Sequence, residues 1–199
     1  YVGVKEMEKQ GHFPSYIYRG YKTDIYEGGH RIPLIVSWKG KFSNETNNSL
    51  VSLTDFYATF AQMVNHKLKD EEAVDSYSIW PILSKQGASN RKDLVYESGK
   101  GYLSLRTPQL KLVFNGGSGG WGYPNKPADL AQLPPMQLFN LKEDPSEKEN
   151  IIHDKCYEQE VKEMTQLIRK YVKEGRSTPG AEVANDTEND WKQVNIFMQ

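Results

Sequence analysis

Gly28-Gly29-His30-Arg31-Ile32-Pro33-Leu34-Ile35-Val36-Ser37-Trp38 sets a short, nearly continuous apolar run directly after two glycines. A run without polar alternation is the pattern of a strand buried on both faces, and such strands lie in parallel sheets covered by helices. Residues 40–49 follow as a polar connection, and Ser52 or Thr54 stands where a helix cap belongs. Phe56, Tyr57, Phe60, Ala61, Met63 and Val64 then recur at helical spacing, which predicts an apolar stripe turned to the core. Strand, connection and helix make a βα unit, so the fold class predicted here is α/β. The diglycine is expected to give a turn with φ > 0 and to allow close backbone packing.

A different pattern begins near residue 93. Leu94–Glu97, Tyr102–Arg106, Leu110–Phe114 and Gln137–Leu141 read as strands, and Thr107-Pro108 separates two of them by a turn too short for parallel neighbours. Over residues 155–174, Tyr157, Val161, Met164, Leu167, Ile168, Tyr171 and Val172 fall on one helical stripe, with Lys and Glu opposite. The expected assembly is a small α+β unit, a four-stranded antiparallel sheet covered by a C-terminal helix. Val194-Asn195-Ile196-Phe197-Met198 ends a polar tail and either docks on the core or frays.

Composition narrows the function classes. A chain of 199 residues with a net charge of −1 carries no electrostatic footprint for nucleic acid or an anionic membrane. One cysteine, Cys156, excludes an internal disulfide framework. No apolar run approaches the roughly 20 residues that span a bilayer. Tyr1 is not an initiator methionine, and hydrophobic content of 37% is low for a domain, so a fragment of a longer protein is expected.

The segment that bears chemistry is Gly20-Tyr21-Lys22-Thr23-Asp24-Ile25-Tyr26-Glu27-Gly28-Gly29-His30-Arg31-Ile32-Pro33. Lys22 precedes the diglycine, where an ammonium can face an oxyanion; Glu27 and Arg31 flank the glycines and can pair. By composition alone these charges read as solvated loop residues, as do the acidic residues at 70–72 and 143–149. Gly116-Gly117-Ser118-Gly119-Gly120-Trp121 lacks the Lys-Ser/Thr that completes a phosphate-binding loop, leaving a flexible connection or a sugar-stacking platform built on Trp121 and Tyr123. His12 is a candidate substrate contact or a surface-loop histidine; His30 reads as packing, with a substrate contact as the alternative.

The Lys22–Pro33 block resembles the second signature of the sulfatase family, with Gly20, Lys22, Glu27, Gly28, Gly29, Arg31 and Pro33 in register. Leu138-Phe139-Asn140-Leu141 followed by the acidic turn at Asp144-Pro145 resembles the late part of arylsulfatase-like chains. The resemblance implies sulfate-ester hydrolysis by a formylglycine made from a Cys/Ser-x-Pro-x-Arg motif, with Ca²⁺ held by Asp and Asn ligands. It assigns Lys22 as the catalytic, sulfate-contacting lysine, and makes His12 and Trp121 candidate substrate-binding residues. The sequence holds no Cys/Ser-x-Pro-x-Arg, and no Asp-Asn-Gly step precedes Lys22.

The implied arrangement follows from these matches and gaps. Residues 1–88 complete the large α/β domain of a sulfatase, and residues 89–199 form a C-terminal α+β subdomain with a polar tail. The formylglycine, the Ca²⁺ and its ligands belong to an N-terminal half outside this chain, and the chain alone is inactive. The implied partners are that half and a sulfated small molecule or glycan, with no nucleic acid and no membrane; the implied compartment is periplasmic or secreted. The alternatives are a fragment of a related phosphodiester or phosphonate hydrolase, and a non-catalytic glycan-binding module.

Overall fold

The computed structural model describes residues 3–184 and 191–198. Its elements run α1 (Val4–Lys9), α2 (Glu27–His30), α3 (Asp55–Met63), α4 (Trp80–Leu83), β1 (Leu94–Glu97), β2 (Leu103–Arg106), β3 (Leu110–Val113), α5 (Pro127–Leu130), β4 (Gln137–Asn140), α6 (Glu158–Glu174) and α7 (Asn195–Met198). Short 3₁₀ turns precede α6 and α7. The chain divides into two compact units, Tyr1–Pro33 with Val95–Thr165 and Trp191–Gln199, and Leu34–Leu94 with Gln166–Asp190.

The first unit is built on the four-stranded sheet, in the order β1-β2-β3-β4. Thr107 closes the β2–β3 turn twice: its N–H donates to Leu110 O at 2.8 Å, and its hydroxyl accepts from Leu110 N at 2.9 Å. The antiparallel register sets Leu105 opposite Leu112 and Lys111 opposite Phe139. With side chains alternating across the pleat, Leu105, Leu112 and Leu138 share one face, all fully buried. On the other, Val113 and Phe139 cluster with Ile25, Tyr26 and Leu141, so the segment leading into α2 is clamped against the sheet. The tail docks: Phe197 is 1% exposed, its ring 4.5 Å from that of Phe114. Strands, hairpin turn and final helix all stand where the sequence placed them.

In the second unit the outcome differs. Residues 31–38 form no strand, and Ile35 is 89% exposed. A strand exists through ladder bonds to a neighbour, and among the described residues none pairs with this run. Helix α3 forms, but neither Ser52 nor Thr54 caps it through its side chain; Asp55 Oδ2 accepts from Ser52 N at 2.8 Å instead. The predicted stripe is turned inward only in part, at Ala61, with Phe56 and Met63 half-buried. Asp55, Ala58, Thr59 and Ala61 are buried, whereas Tyr57, Phe60 and Val64 are more than half exposed.

The physical reason is polar anchoring of the opposite face. Ser76 Oγ accepts from Ala58 N and Thr59 Oγ1 accepts from Ile79 N, each at 2.9 Å, wrapping residues 76–79 over that side of α3. Beneath them Arg91, 6% exposed, grips Asp55 with Nε and Nη2, the latter 2.5 Å from Oδ1. Arg91 also reaches the carbonyls of Asp75 and Asp93, so its donors are used.

Candidate functional site

Lys22 sits on a tight turn in which Asp24 N donates to Tyr21 O at 2.9 Å. Thr23 follows with φ 82°, a left-handed conformation that a β-branched residue adopts only when its surroundings impose it. Those surroundings are visible. Thr23 O accepts from Gly99 N at 2.8 Å, and its hydroxyl accepts from Trp121 N at 3.2 Å. Asp24, 1% exposed, takes Tyr21 N on Oδ2 at 3.0 Å and Gly122 N on Oδ1 at 2.7 Å. The Lys22 side chain is exposed at the apex, and no described residue makes an ion pair with it.

The same contacts explain the glycine-rich loop. Ser118 O accepts from Ile25 N at 2.8 Å, and Ser118 Oγ donates to Gly122 O at 2.7 Å. A Cβ at Gly120 would lie 2.6 Å, and one at Gly122 2.4 Å, from an oxygen of the Asp24 carboxylate. The glycines let backbone close around a buried carboxylate, so this stretch is neither a phosphate cradle nor a loose connection. It delivers Trp121, 57% exposed, beside the turn that carries Lys22. His12 lies on the exposed loop after α1, its N–H donating to Met7 O at 2.9 Å.

The diglycine takes a helical turn rather than the expected left-handed one, for neither Gly28 nor Gly29 has positive φ. Close packing is what it serves. A Cβ at Gly28 would meet Gly20 O at 2.3 Å, and one at Gly29 would meet Asp24 O at 2.1 Å. The Lys22 turn therefore rests directly on α2.

Under α2 lies a charge network that the composition-based reading took for solvated loops. Glu27 is 1% exposed and Glu147 fully buried. Lys111 Nζ sits 3.3 Å from Glu27 Oε1 and 3.0 Å from Glu147 Oε1, the latter off the hydrogen-bond axis. Arg106 Nε donates to Glu27 at 3.2 Å, Glu27 N donates to Glu147 Oε2 at 2.6 Å, and Arg31 is a more distant partner of Glu27 at 3.7 Å. Burial pushes the Glu147 carboxyl above its ordinary range, against the opposing pull of Lys111. His30 stacks on Tyr96 at 4.4 Å, as packing predicted; burial, then Lys111, lowers its pKa to about 4.

Thr23, Asp24, Lys111 and Glu147 were not singled out from the sequence. A signal existed for Lys111, since a charge inside Leu110-Lys111-Leu112-Val113-Phe114 is seldom buried without a partner.

A family model described as Sulfatase matches residues 9–66, which include the Lys22 turn and α2. An N-acetylgalactosamine-6-O-sulfatase of Bacteroides thetaiotaomicron is 31% identical over 158 residues, 79% of this chain and 30% of that protein. The chain is similar to sulfatases over most of its length. Human arylsulfatase A is 28% identical over 142 residues, covering 66% of the chain and 28% of the enzyme. Among solved structures, one concerning the metabolism of multiple glycosaminoglycans by B. thetaiotaomicron superposes with TM-score 0.70 at 28% identity, over 85% of this chain and 35% of the other. The chain thus spans about a third of the length of the curated relatives it matches.

Among the described residues no group of three or more His, Cys, Asp or Glu side chains is placed to hold a metal ion. Nor is any described helix long and apolar enough to cross a membrane.

Proposed function

We propose that this chain is the C-terminal portion of a sulfatase that hydrolyses sulfate esters of small molecules or glycans, and that Lys22 is its contribution to the reacting centre. The observation that carries the reading is the Lys22 turn: an exposed ammonium on backbone pinned by Asp24 and Thr23, within the segment matched to the family. The pinned backbone fixes the base of the lysine stem, and its ammonium beside a sulfuryl group stabilises the oxyanion character that grows in transfer. Trp121 beside the turn, and His12, act as substrate contacts. The formylglycine and the Ca²⁺ with its ligands belong to an N-terminal half outside this chain. When bound, the cation supplies positive charge to the sulfate oxygens.

Residues 1–88 would complete the catalytic α/β domain and residues 89–199 the α+β subdomain, and the chain alone is inactive. The N-terminal half is the partner this requires. Its reading is supported by large apolar side chains left open to solvent, Phe13, Ile17 and Ile32 in the first unit, and Leu34, Ile35 and Phe60 in the second. Surfaces of that kind are normally covered. The proposed compartment is the periplasm or the exterior.

The test is Lys22→Ala in the intact sulfatase, assayed on sulfate and phosphate esters side by side. Loss of one such contact is expected to lower kcat on the sulfate ester about 10²–10³-fold, roughly 2.7–4 kcal/mol. Wild-type turnover would remove Lys22 from the mechanism, and faster turnover of the phosphate ester would favour a phosphoester hydrolase.

A further inference from the structure

Lys22 stands three residues after Arg19 and five before Glu27, and one residue far along the chain holds both of these ends. Glu147 O accepts from Arg19 Nη1 at 2.9 Å, and Glu147 Oε2 accepts from Glu27 N at 2.6 Å. The two ends are also joined to each other, because Arg19 O accepts from Gly28 N at 2.8 Å. The Arg19 guanidinium lies 3.9 Å over the ring of Tyr26, which is itself buried.

The acidic turn at 144–149 presents Glu147 in this way. Asp144 Oδ2 accepts from Lys148 N at 2.6 Å and from Glu149 N at 2.9 Å, and Asp144 O accepts from Glu147 N at 3.1 Å. Glu147 has φ 51°, in the left-handed region that a residue with a Cβ enters at a cost. Its carbonyl meets Arg19 while its carboxylate is fully buried, 3.0 Å from Lys111 Nζ. Strain of this kind persists where the surroundings over-determine it, and it gathers at sites that need a fixed geometry. A buried ion pair is often no more stabilising than apolar side chains of similar volume, so stability alone does not account for a glutamate here.

We infer that Glu147 is a positioning residue for Lys22: by holding Arg19 and Glu27 it fixes both ends of the loop, and hence the place of the lysine stem. This role rests on Lys22 meeting the sulfuryl group, and gives the acidic turn a part in the same reaction. With the hold lost the loop still carries Lys22, but shifted, and a misplacement of about 1 Å can cost about 10²-fold in rate. The contact so weakened is one made in the transition state, so kcat falls and KM does not change.

Steady-state kinetics of Glu147→Ala, Glu147→Gln and Arg19→Gln in the intact sulfatase, each alone and combined with Lys22→Ala, test the role on the sulfate ester used to assay Lys22→Ala. Glu147→Ala is expected to lower kcat about 10²-fold with KM unchanged. Glu147→Gln, whose amide oxygen can still accept from Glu27 N, is expected to recover most of that loss. Arg19→Gln, which frees one end only, is expected to fall between the two. In the Lys22→Ala background each is expected to cause no further loss, because a residue acting through Lys22 then has no ammonium to place. A merely structural role would instead multiply the two losses. Multiplied losses, wild-type kcat in Glu147→Ala, or a change confined to KM would overturn the inference. Should Glu147→Ala lose the native far-UV spectrum, Arg19→Gln decides: wild-type kcat, or a loss that multiplies with that of Lys22→Ala, overturns the role. Wild-type turnover by Lys22→Ala would remove the reading on which the role rests, whereas a Lys22→Ala defect that multiplies with that of Glu147→Ala sinks the role alone.

Discussion

Lys111→Met removes an ammonium that lies 3.3 Å from Glu27 and 3.0 Å from Glu147, all three side chains being no more than 1% exposed. Methionine fills much the same space, so packing is nearly kept and the charge alone is lost. Glu27 retains Arg106 at 3.2 Å, whereas among the described residues the Glu147 carboxylate keeps only the Glu27 N–H, on Oε2. Stripping one member from a buried pair costs about 3–5 kcal/mol; the surviving Arg106 contact places the expectation near 3.

The pH dependence has a definite sign. Burial already raises the Glu147 pKa above its unfolded value, with Lys111 the chief opposing influence. A carboxyl raised in the folded state takes up a proton on folding, so its contribution improves as pH falls from the folded pKa towards the unfolded one. Without Lys111 that window moves up. The variant's deficit is therefore largest at pH 7 and shrinks at pH 5, and adding Glu147→Gln recovers part of it at pH 7. Urea unfolding of wild type, Lys111→Met and the double variant at both pH values, with matched m, measures this. A deficit under about 1 kcal/mol at pH 7, or one that grows on acidification, would refute the network's role.

Further outcomes follow from the same geometry. Gly29→Ala, whose methyl would sit 2.1 Å from Asp24 O, is expected to cost about 1–3 kcal/mol or more and to lower Tm by roughly 2–4 °C per kcal/mol, read by calorimetry. Asp24→Asn replaces one acceptor of the Tyr21 and Gly122 N–H groups with a donor; a loss of about 1.5–3 kcal/mol and faster hydrogen exchange at Gly122 are expected. Arg91→Met leaves Asp55 buried and unpaired, for an expected 3–5 kcal/mol in urea unfolding. With its pKa held at about 4, the His30 ring should show no NMR titration between pH 5.5 and 8. Because that value lies below the unfolded one, this histidine's contribution to stability is complete above about pH 6.5 and is lost as pH falls towards 4.

Periodicity and turn chemistry are local, and what they encode was readable in the chain. The four strands, the Thr107-Pro108 turn and the amphipathic α6 all follow from alternation, a helix-period stripe and a short connection. The motif around Lys22 was equally plain, because a sequence pattern preserves register even where it says nothing about contacts. Three readings failed where burial depends on partners distant in sequence. Ile32–Trp38 looks like a strand, yet a strand needs a neighbour to supply its ladder. The aromatic residues of α3 look like core, yet Asp55 and Thr59 bind Arg91 and the 76–79 segment and turn the opposite face inward. Glu27 and Glu147 look solvated, yet they meet Lys111 across more than 80 and 30 residues of chain respectively.

By itself the sequence determined which residues form strands and the final helix, since each depends on spacing along the chain. Tertiary structure decided that the glycines at 120 and 122 close on Asp24 and that Trp121 stands beside the Lys22 turn. Those facts arise from atoms brought within 3.2 Å of one another across 98 residues of chain, a proximity that no local pattern encodes.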